Sequence, residues 1–496
     1  MAESKRPSAE EIVLHHSDQF YIDGEWAAAS GDAKISVINP ATEQLFAKVA
    51  EANQTDVERA VAAARKAFDR GPWPRMTPRE RAGYLREIAK ALPAYTDRLA
   101  DYWTREVGIV RGLAGAMLGS AAPAFESYAS LADSFPFEER RTPQMGGNVG
   151  FLVREPVGVV AAIVPWNFPL LLAVHKIAPA LLAGCCMILK LSPEAPASGY
   201  VLGEIAAEVG LPKGVLNILT AEREVSEVLV RHPGVDKVSF TGSVAAGRKI
   251  AAICGERIAR CTLELGGKSA AVVLDDFDLD SVAATISSVT PLVTGQVCAA
   301  LTRVIVSKHR HDQLVDAMAD RFKAIKVGDP FDGETAMGPL AMARQRARVE
   351  GYIASGVQQG ARIATGGQRP AHLDRGYYIE PTVFANVGKD MTIAREEIFG
   401  PVVSVIPAKN EADAVAIAND SAFGLNASVF TQDANRAYRV ARELRSGTVG
   451  HNAFRADYSM AFGGFKQSGI GREGGAEGLM PYLETKTVIL DADPGV

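Results

Sequence analysis

Three short stretches hold the side chains best suited to covalent chemistry. Gly295-Gln-Val-Cys298-Ala-Ala sets one cysteine among small residues. Such a thiol reads either as a nucleophile or as inert core, since free cysteine is among the most buried residue types. Leu263-Glu264-Leu265-Gly266-Gly267-Lys268 puts a carboxylate between apolar neighbours, followed by glycines that permit close approach. Desolvation there would raise the pKa of Glu264 and suit it to general-base work. Pro165-Trp166-Asn167-Phe168-Pro169 sets an amide between two aromatics at the end of an apolar run. Trp166 and Phe168 read equally as core, whereas Asn167 reads as an exposed amide able to donate to an oxyanion.

A second group suits an anionic ligand. Phe240-Thr-Gly242-Ser243 follows the run Val235 to Phe240 and opens a helical pattern from Ala245. That junction aims backbone N–H groups and the helix dipole at an anion, with Ser243 as an extra donor. A plain strand–turn–helix junction fits the same letters. Gly242 to Gly247 also resembles a Walker loop, but Arg248-Lys249 stands where Lys-[Ser/Thr] is needed. Lys190 closes the apolar run Cys185 to Leu189, and ligands of open α/β sheets lie beyond the carboxyl ends of strands. A lysine snorkelling to the surface is the alternative.

Two motifs are decoys. Gly469-Ile-Gly471-Arg-Glu-Gly474 spells GxGxxG, yet no hydrophobic strand precedes it and too little chain follows for a βαβ unit; it reads as a glycine-rich structural loop. Asp276-Phe-Asp278-Leu-Asp280 begins like a calcium loop, but Ser281 and Ser287 occupy the positions that need Gly and Glu. It reads as solvated aspartates before a helix. No CxxC or Cys/His cluster points to zinc, so no metal is expected.

The elements that must position these residues follow from periodicity. The first ~20 residues are polar and read as a loose arm. Phe20 to Trp26 reads as a hairpin turning at Asp23-Gly24. Thr55 to Phe68 is helical, as is Thr77 to Val107 throughout. Phe135 to Val153 reads as a protruding strand or hairpin. From Val157 strands and helices alternate: strands Val157 to Val164, Cys185 to Leu189, Val215 to Leu219 and Val235 to Phe240, with helices between them. Further strands are expected at Thr262 to Leu265 and Ala270 to Leu274, then a second alternating block from Val304 to Ala427 and a β-like run at Thr485 to Leu490. Short strands apolar on both faces, separated by helices, indicate a parallel sheet covered on both sides.

Composition bounds the function. The chain has 496 residues, 47% hydrophobic and 22% charged, with a formal net charge of −5. That length predicts two large domains or about three of ~150 residues. The mild acidity excludes a basic nucleic-acid footprint. Five cysteines in so long a chain make no disulfide framework. The start shows no apolar signal segment. Leu170 to Leu191 is largely apolar but contains His175, Lys176, Pro179 and Gly184, which fits a buried helix running into a buried strand better than a membrane span. A cytoplasmic protein that touches neither membrane nor nucleic acid is expected.

Taken together and in order, these stretches resemble the aldehyde dehydrogenase superfamily. Pro165-Trp-Asn-Phe-Pro169, Phe240-Thr-Gly-Ser243, Leu263-Glu-Leu-Gly-Gly-Lys268, Gly295-Gln-Val-Cys298, Glu396-Glu-Ile-Phe-Gly-Pro401 and Phe462-Gly-Gly-Phe-Lys-Gln-Ser-Gly469 carry the resemblance, which extends from Phe20 to Val488. It implies an α/β fold: a Rossmann-like dinucleotide-binding domain (1–136 and 155–264), an α/β catalytic domain (265–479) and a bridging, oligomerising β-hairpin segment (137–154 and 480–496). Homodimers or homotetramers are the implied assemblies.

The implied reaction is NAD(P)-dependent oxidation of a small-molecule aldehyde to its acid. Cys298 matches the nucleophile, Asn167 and the Cys298 backbone N–H the oxyanion hole, and Glu264 the base that activates water against the thioester. Lys176 matches a family lysine near Asn167. Lys190 and Ser192 match the adenosine-ribose pocket, Gly242 and Ser243 the pyrophosphate positions, and Val164 and Trp166 the run along the dinucleotide. Glu397, with Phe399 beside it, matches the residue holding the nicotinamide ribose; Gly266 packs against the nicotinamide, and Gln345 falls near the same ribose.

The sequence also departs from the family pattern. Pro193 stands where many NAD-specific members carry a ribose-binding Glu, and Glu194 comes one residue late; NAD is expected, with NADP admitted on that ground. Leu219 to Glu224 lacks glycines often found there, Val293 replaces a common Asn, and Ala461 a common Pro. Phe168 and Phe454 suit a medium-sized apolar or aromatic aldehyde, while Arg455 would suit a semialdehyde carboxylate. A CoA-acylating relative, which usually lacks the base matched by Glu264, and a non-catalytic protein on the same fold are the alternatives.

Overall fold

Runs of small and β-branched residues bounded by glycine, proline or aspartate build the sheet that carries most of these residues. The computed structural model describes residues 14–494. Five parallel strands lie side by side in the order Leu216–Thr220, Cys186–Leu191, Val159–Ile163, Lys237–Thr241 and Arg260–Glu264. Chain order reverses at Val159–Ile163, the topological switch point at which doubly wound sheets bind ligands. The first four of these strands are buried along their whole length, as a parallel sheet covered on both faces requires. The hairpin Gln19–Ile22 and Glu25–Ala28 adds to one edge, its turn at Asp23 (φ 52°) and Gly24 (φ 77°). On the other edge Gly469–Ile470 pairs antiparallel with Leu263 and Glu264, so the GxGxxG letters lie in an edge strand and its loop.

A second, seven-stranded sheet holds Arg303–Ser307, Ala270–Val273, Val402–Ala408 and Asn426–Phe430 at its centre. A third pairs Leu483–Leu490 with Val149–Pro156, which in turn pairs with Glu138–Arg141, all antiparallel. The apolar stretch from Leu170 divides at Gly184, whose left-handed backbone (φ 98°) ends the Pro169–Ala183 helix before the next strand. Among the described residues no helix is long and apolar enough to cross a membrane.

Three expectations are corrected. Thr77 to Val107 is two helices, Pro78–Ala91 and Thr96–Val107, joined by a 3₁₀ turn at Leu92–Tyr95. Pro93 has no N–H for the helical ladder, and the turn forms around it. The loose arm is shorter than ~20 residues: Leu14 is already buried and Gln19–Ile22 is a strand, while residues 1–13 lie outside the described part. Lys190 lies within its strand, which continues to Leu191, and is 7% exposed. Asp278 caps the Leu279–Val289 helix by accepting from the Ser281 N–H at 2.8 Å, and Asp276 accepts from Thr431 and Gln432.

Candidate active site

Trp166 and Asn167, Gly242 and Ser243, and Glu264 to Gly266 follow or end one of the five parallel strands, and Lys190 is the last residue but one of another, so the sheet gathers them along its carboxyl edge. Facing them, the second sheet brings in the segment that carries Cys298 and the turn Glu397 to Phe399. Between the two lies a cavity of about 720 Å³. Trp166, Asn167, Gly242, Ser243, Gly266, Cys298, Gln345, Glu397 and Phe399 form part of its wall. Val164, Lys176, Lys190, Ser192 and Glu264 do not.

The segment leading to Cys298 is bent by three successive residues with left-handed backbone, Val293 (φ 45°), Thr294 (φ 55°) and Gly295 (φ 71°). A β-branched residue such as Val293 rarely adopts that conformation, so surrounding bonds must hold it. The Thr294 hydroxyl lies 3.0 Å from the Gly338 and Pro339 carbonyls. The Gln296 amide donates to the Val293 carbonyl at 2.8 Å and accepts from the Ala341 N–H at 3.0 Å. A Cβ at Gly295 would collide with the Gly400 backbone, and one at Gly267 with the Cys298 carbonyl. Burial, reinforced by Glu397 and Glu264, pushes the Cys298 thiol up to about 12.

Asn167 is 3% exposed, not the exposed amide expected from the sequence. Its Nδ2 donates to the Gln296 carbonyl at 2.9 Å, and its own carbonyl accepts from Trp103 Nε1 at 3.0 Å. The amide orientation is thereby tied to the Cys298 segment. An amide nitrogen carries two N–H groups, which leaves one for a ligand oxygen.

Glu264 is buried behind the cavity wall, and neither carboxyl oxygen has a hydrogen-bond partner among the described residues. It packs on Gly463, where a Cβ would stand 2.6 Å from Oε1. Burial first, and the nearby Glu473 second, hold its pKa well above the ordinary carboxylate range, against the pull of Lys176 and Arg472. Lys176 is fully buried in the Pro169–Ala183 helix and donates to Glu473 Oε1. Glu473 escaped the sequence reading because it sits inside the GxGxxG decoy. The signal was available: a carboxylate flanked by glycines next to an edge strand can be drawn inward to meet a buried lysine.

The wall expected to face a cofactor is built from the Glu396 to Pro401 turn. The Ala343–Gln358 helix donates to three successive carbonyls of this turn, Arg348 to Glu397 at 2.5 Å and Gln345 to Ile398 and Phe399 at 3.3 and 2.6 Å. Gln345 thus holds the turn in place. Glu397 Oε1 accepts from the Gly267 N–H at 3.0 Å, and burial raises its carboxyl to about 7. A Cβ at 266 would stand 2.3 Å from the Glu397 carboxylate, which would have to move away. The Phe399 ring meets Trp166 edge-on at 5.5 Å. Ser243 caps the Val244–Arg257 helix by accepting from the Ala246 N–H, and the Gly242 N–H bonds the Glu264 carbonyl. The N–H groups of Val244 and Ala245 remain as first-turn donors. A glycine cradle, a facing carboxylate, an aromatic pair and a helix N-terminus fit a dinucleotide.

The opposite wall is apolar, with Met117, Phe168, Leu171, Val297, Phe454 and Phe462 among its residues. His175 stacks on Tyr458 at 4.1 Å, which stacks on Phe462 at 4.3 Å, and burial pushes His175 down to about 3, so its ring is neutral. The sequence reading missed Tyr458, which is on the wall. Arg455 is exposed and forms no part of the wall, which its neighbours Phe454, Ala456 and Asp457 line.

A model of the aldehyde dehydrogenase family matches residues 26–488. Geranial dehydrogenase from Castellaniella defragrans is 43% identical over 484 residues, covering 97% of this chain and 100% of the relative. The crystal structure of a Mycobacterium tuberculosis aldehyde dehydrogenase complexed with NAD+ is 44% identical, with a TM-score of 0.93 over 95% of this chain and 98% of that one. A Pseudomonas syringae aldehyde dehydrogenase C mutant, solved with NAD+ and octanal, is 38% identical with a TM-score of 0.92, covering 97% and 98%.

Proposed function

The chain belongs to the aldehyde dehydrogenase family, whose members are NAD(P)-dependent oxidoreductases, and from that footing we propose that its cavity oxidises a medium-sized apolar or aromatic aldehyde to the acid through Cys298. The observation that carries this is a single cavity that presents Cys298 and Asn167 between a dinucleotide-shaped wall and an apolar one. The names of the geranial dehydrogenase relative and the octanal-bound structure support the apolar class.

Attack requires the thiolate, which burial opposes in the free protein, so the Sγ proton must leave to water at the cavity before the bond forms. The Sγ–carbon bond forms as the carbonyl oxygen becomes an oxyanion, which accepts from the second Asn167 N–H and the Cys298 backbone N–H. Gly266, Glu397 and Phe399 would hold NAD, which would supply the hydride acceptor. Loss of hydride re-forms the carbonyl and leaves a thioester on Cys298. Glu264 then takes a proton from the water that attacks it, and the C–S bond breaks to return the thiolate and release the acid. Glu264 must swing from its place on Gly463 toward the cavity for this step. Lys176 and Glu473 act on it from behind, setting its charge. Lys190 and Ser192 take the adenosine ribose, Gly242 and Ser243 with the helix N-terminus they open take the pyrophosphate, and Val164 and Trp166 lie alongside.

We assign 1–136 with 155–264 to dinucleotide binding, 265–479 to catalysis, and 137–154 with 480–496 to bridging subunits in a dimer or tetramer. Production of NADH by purified protein over apolar, aromatic and semialdehyde substrates tests the reading. Turnover without CoA, highest for apolar aldehydes and abolished by Cys298→Ala, is expected. Turnover that needs CoA, or that favours the semialdehyde, would overturn it.

A further inference from the structure

His175 sits on the Pro169–Ala183 helix, one residue before Lys176, and its half-buried ring forms part of the apolar wall of the cavity. Phe168, Leu171 and Phe462 line the same wall and bring no hydrogen-bonding side chain. Nδ1 is sealed from solvent without a partner among the described residues; Nε2 is not sealed, so it is the nitrogen that meets the cavity. Buried polar side chains are nearly always hydrogen-bonded, so a ring with no bond at all asks for a cause. The Tyr458 ring, stacked at 4.1 Å and 17° from parallel, fixes the imidazole plane. Tyr458 and Cys298 pack on one cluster around Phe462, so His175 stands one ring beyond the side chains that surround the thiol. Burial, with Lys176 beside it, holds the imidazole neutral. A neutral ring has one N–H and one lone pair and draws neither a carboxylate nor an ammonium group. A hydroxyl suits it in either tautomer, since a hydroxyl both donates and accepts.

Resting on the proposed oxidation of an aldehyde in this cavity, we propose that His175 is a specificity-determining residue, and that the preferred aldehyde carries an uncharged hydroxyl on the part that reaches past Tyr458. The carbonyl end meets Cys298, the body of the molecule packs on the apolar wall, and the hydroxyl takes the hydrogen bond that Nε2 lacks. A methyl group in the same place would fill the same space, exclude water from Nε2 and leave it without a partner, which a buried polar atom pays for in free energy. One neutral hydrogen bond in a dry site separates two such substrates by about tenfold. A carboxylate or ammonium there would be buried against a ring that carries no charge to meet it.

Values of kcat/KM for meta- and para-hydroxybenzaldehyde, each set against the tolualdehyde of the same substitution, test this. Comparing the hydroxyl-to-methyl ratio between wild type and variants cancels the intrinsic reactivity of each carbonyl. His175→Phe keeps a ring on Tyr458 and removes both nitrogens; for at least one pair it should lower the ratio by about tenfold. His175→Gln, which sets an amide near the place of Nε2, should restore part of the ratio, as a loss of packing alone would not allow. The matching acetophenones cannot be oxidised and carry the test to binding. Calorimetric titration of the whole protein should show the hydroxyl ketone held about tenfold tighter than its methyl partner in wild type, and no tighter in His175→Phe. Equal binding of the two ketones by wild type, or a hydroxyl preference unchanged in His175→Phe, overturns the proposal; turnover of the tolualdehydes would then leave the proposed oxidation standing. A hydroxyl ketone held through His175 by a protein that oxidises no aldehyde would overturn the oxidation instead, and keep His175 as a hydroxyl-binding group.

Discussion

Glu264 carries no hydrogen bond to either oxygen, and its nearest charges pull in opposite directions. Burial and Glu473 favour its neutral form, while Lys176 and Arg472 favour the carboxylate. A base must be deprotonated, so thioester hydrolysis should rise with pH through the raised pKa of Glu264, well above the ordinary ~4.3 of a glutamate. Glu473→Gln removes the like charge and frees the Lys176 cation to act on Glu264. Both changes lower that pKa, and the acid limb should move down by about one unit. Stopped-flow deacylation rates across pH check it; a limb that stays in place would mean the pair acts only structurally. At Asn167 the amide has one N–H fixed by Gln296 and one free. Asn167→Ala should lower kcat by about 100- to 1000-fold, the cost of one oxyanion donor, with a smaller change in KM.

At the scale of elements, the Cys298 segment is held by Gln296 more than by any propensity of its own. Replacing that side chain with leucine leaves the Ala341 N–H without its partner and takes one of two donors from the Val293 carbonyl, which keeps the Gln296 backbone N–H. Gln296→Leu is therefore expected to destabilise the protein by about 2 kcal/mol and to lower kcat, read by urea unfolding and steady-state kinetics. Nothing in local sequence announces this role, because one of the two partners of the Gln296 side chain, Ala341, lies 45 positions away. The parallel strands were legible, since continuous apolar runs such as Val159–Ile163 arise from burial on both faces. The break at Pro93 was also legible in principle, but helical spacing on either side masked it. The burial of Asn167 and the pairing of Lys176 with Glu473 were not, because both depend on which distant segment packs there. Val293 was noted as a departure; only the backbone shows that it occupies a conformation asparagine tolerates better than valine.

At the scale of the whole molecule, the three-stranded sheet stands apart from the two that hold the cavity. In its register Val149, Phe151 and Val153 share one face with Leu490, Val488 and Lys486 of the C-terminal strand. Phe151, Val153, Val488 and Leu490 are only half-buried, and Glu138–Arg141 and Leu483–Leu490 are both edge strands. Met145, in the loop joining Glu138–Arg141 to Val149–Pro156, is 98% exposed. Val149 on this face is buried, but a small sheet with a partly covered apolar face and open edges is marginal alone and prone to pair. The bridging role proposed for 137–154 and 480–496 supplies the cover, by setting this face against a second copy. Sedimentation velocity should then find a dimer or larger species, with a melting temperature that rises with protein concentration. Val488→Lys places a charge at the centre of the face and should shift the distribution toward monomer and remove that concentration dependence. An unchanged sedimentation profile in the variant would mean that the sheet is covered within the chain or left open, and that the copies meet elsewhere.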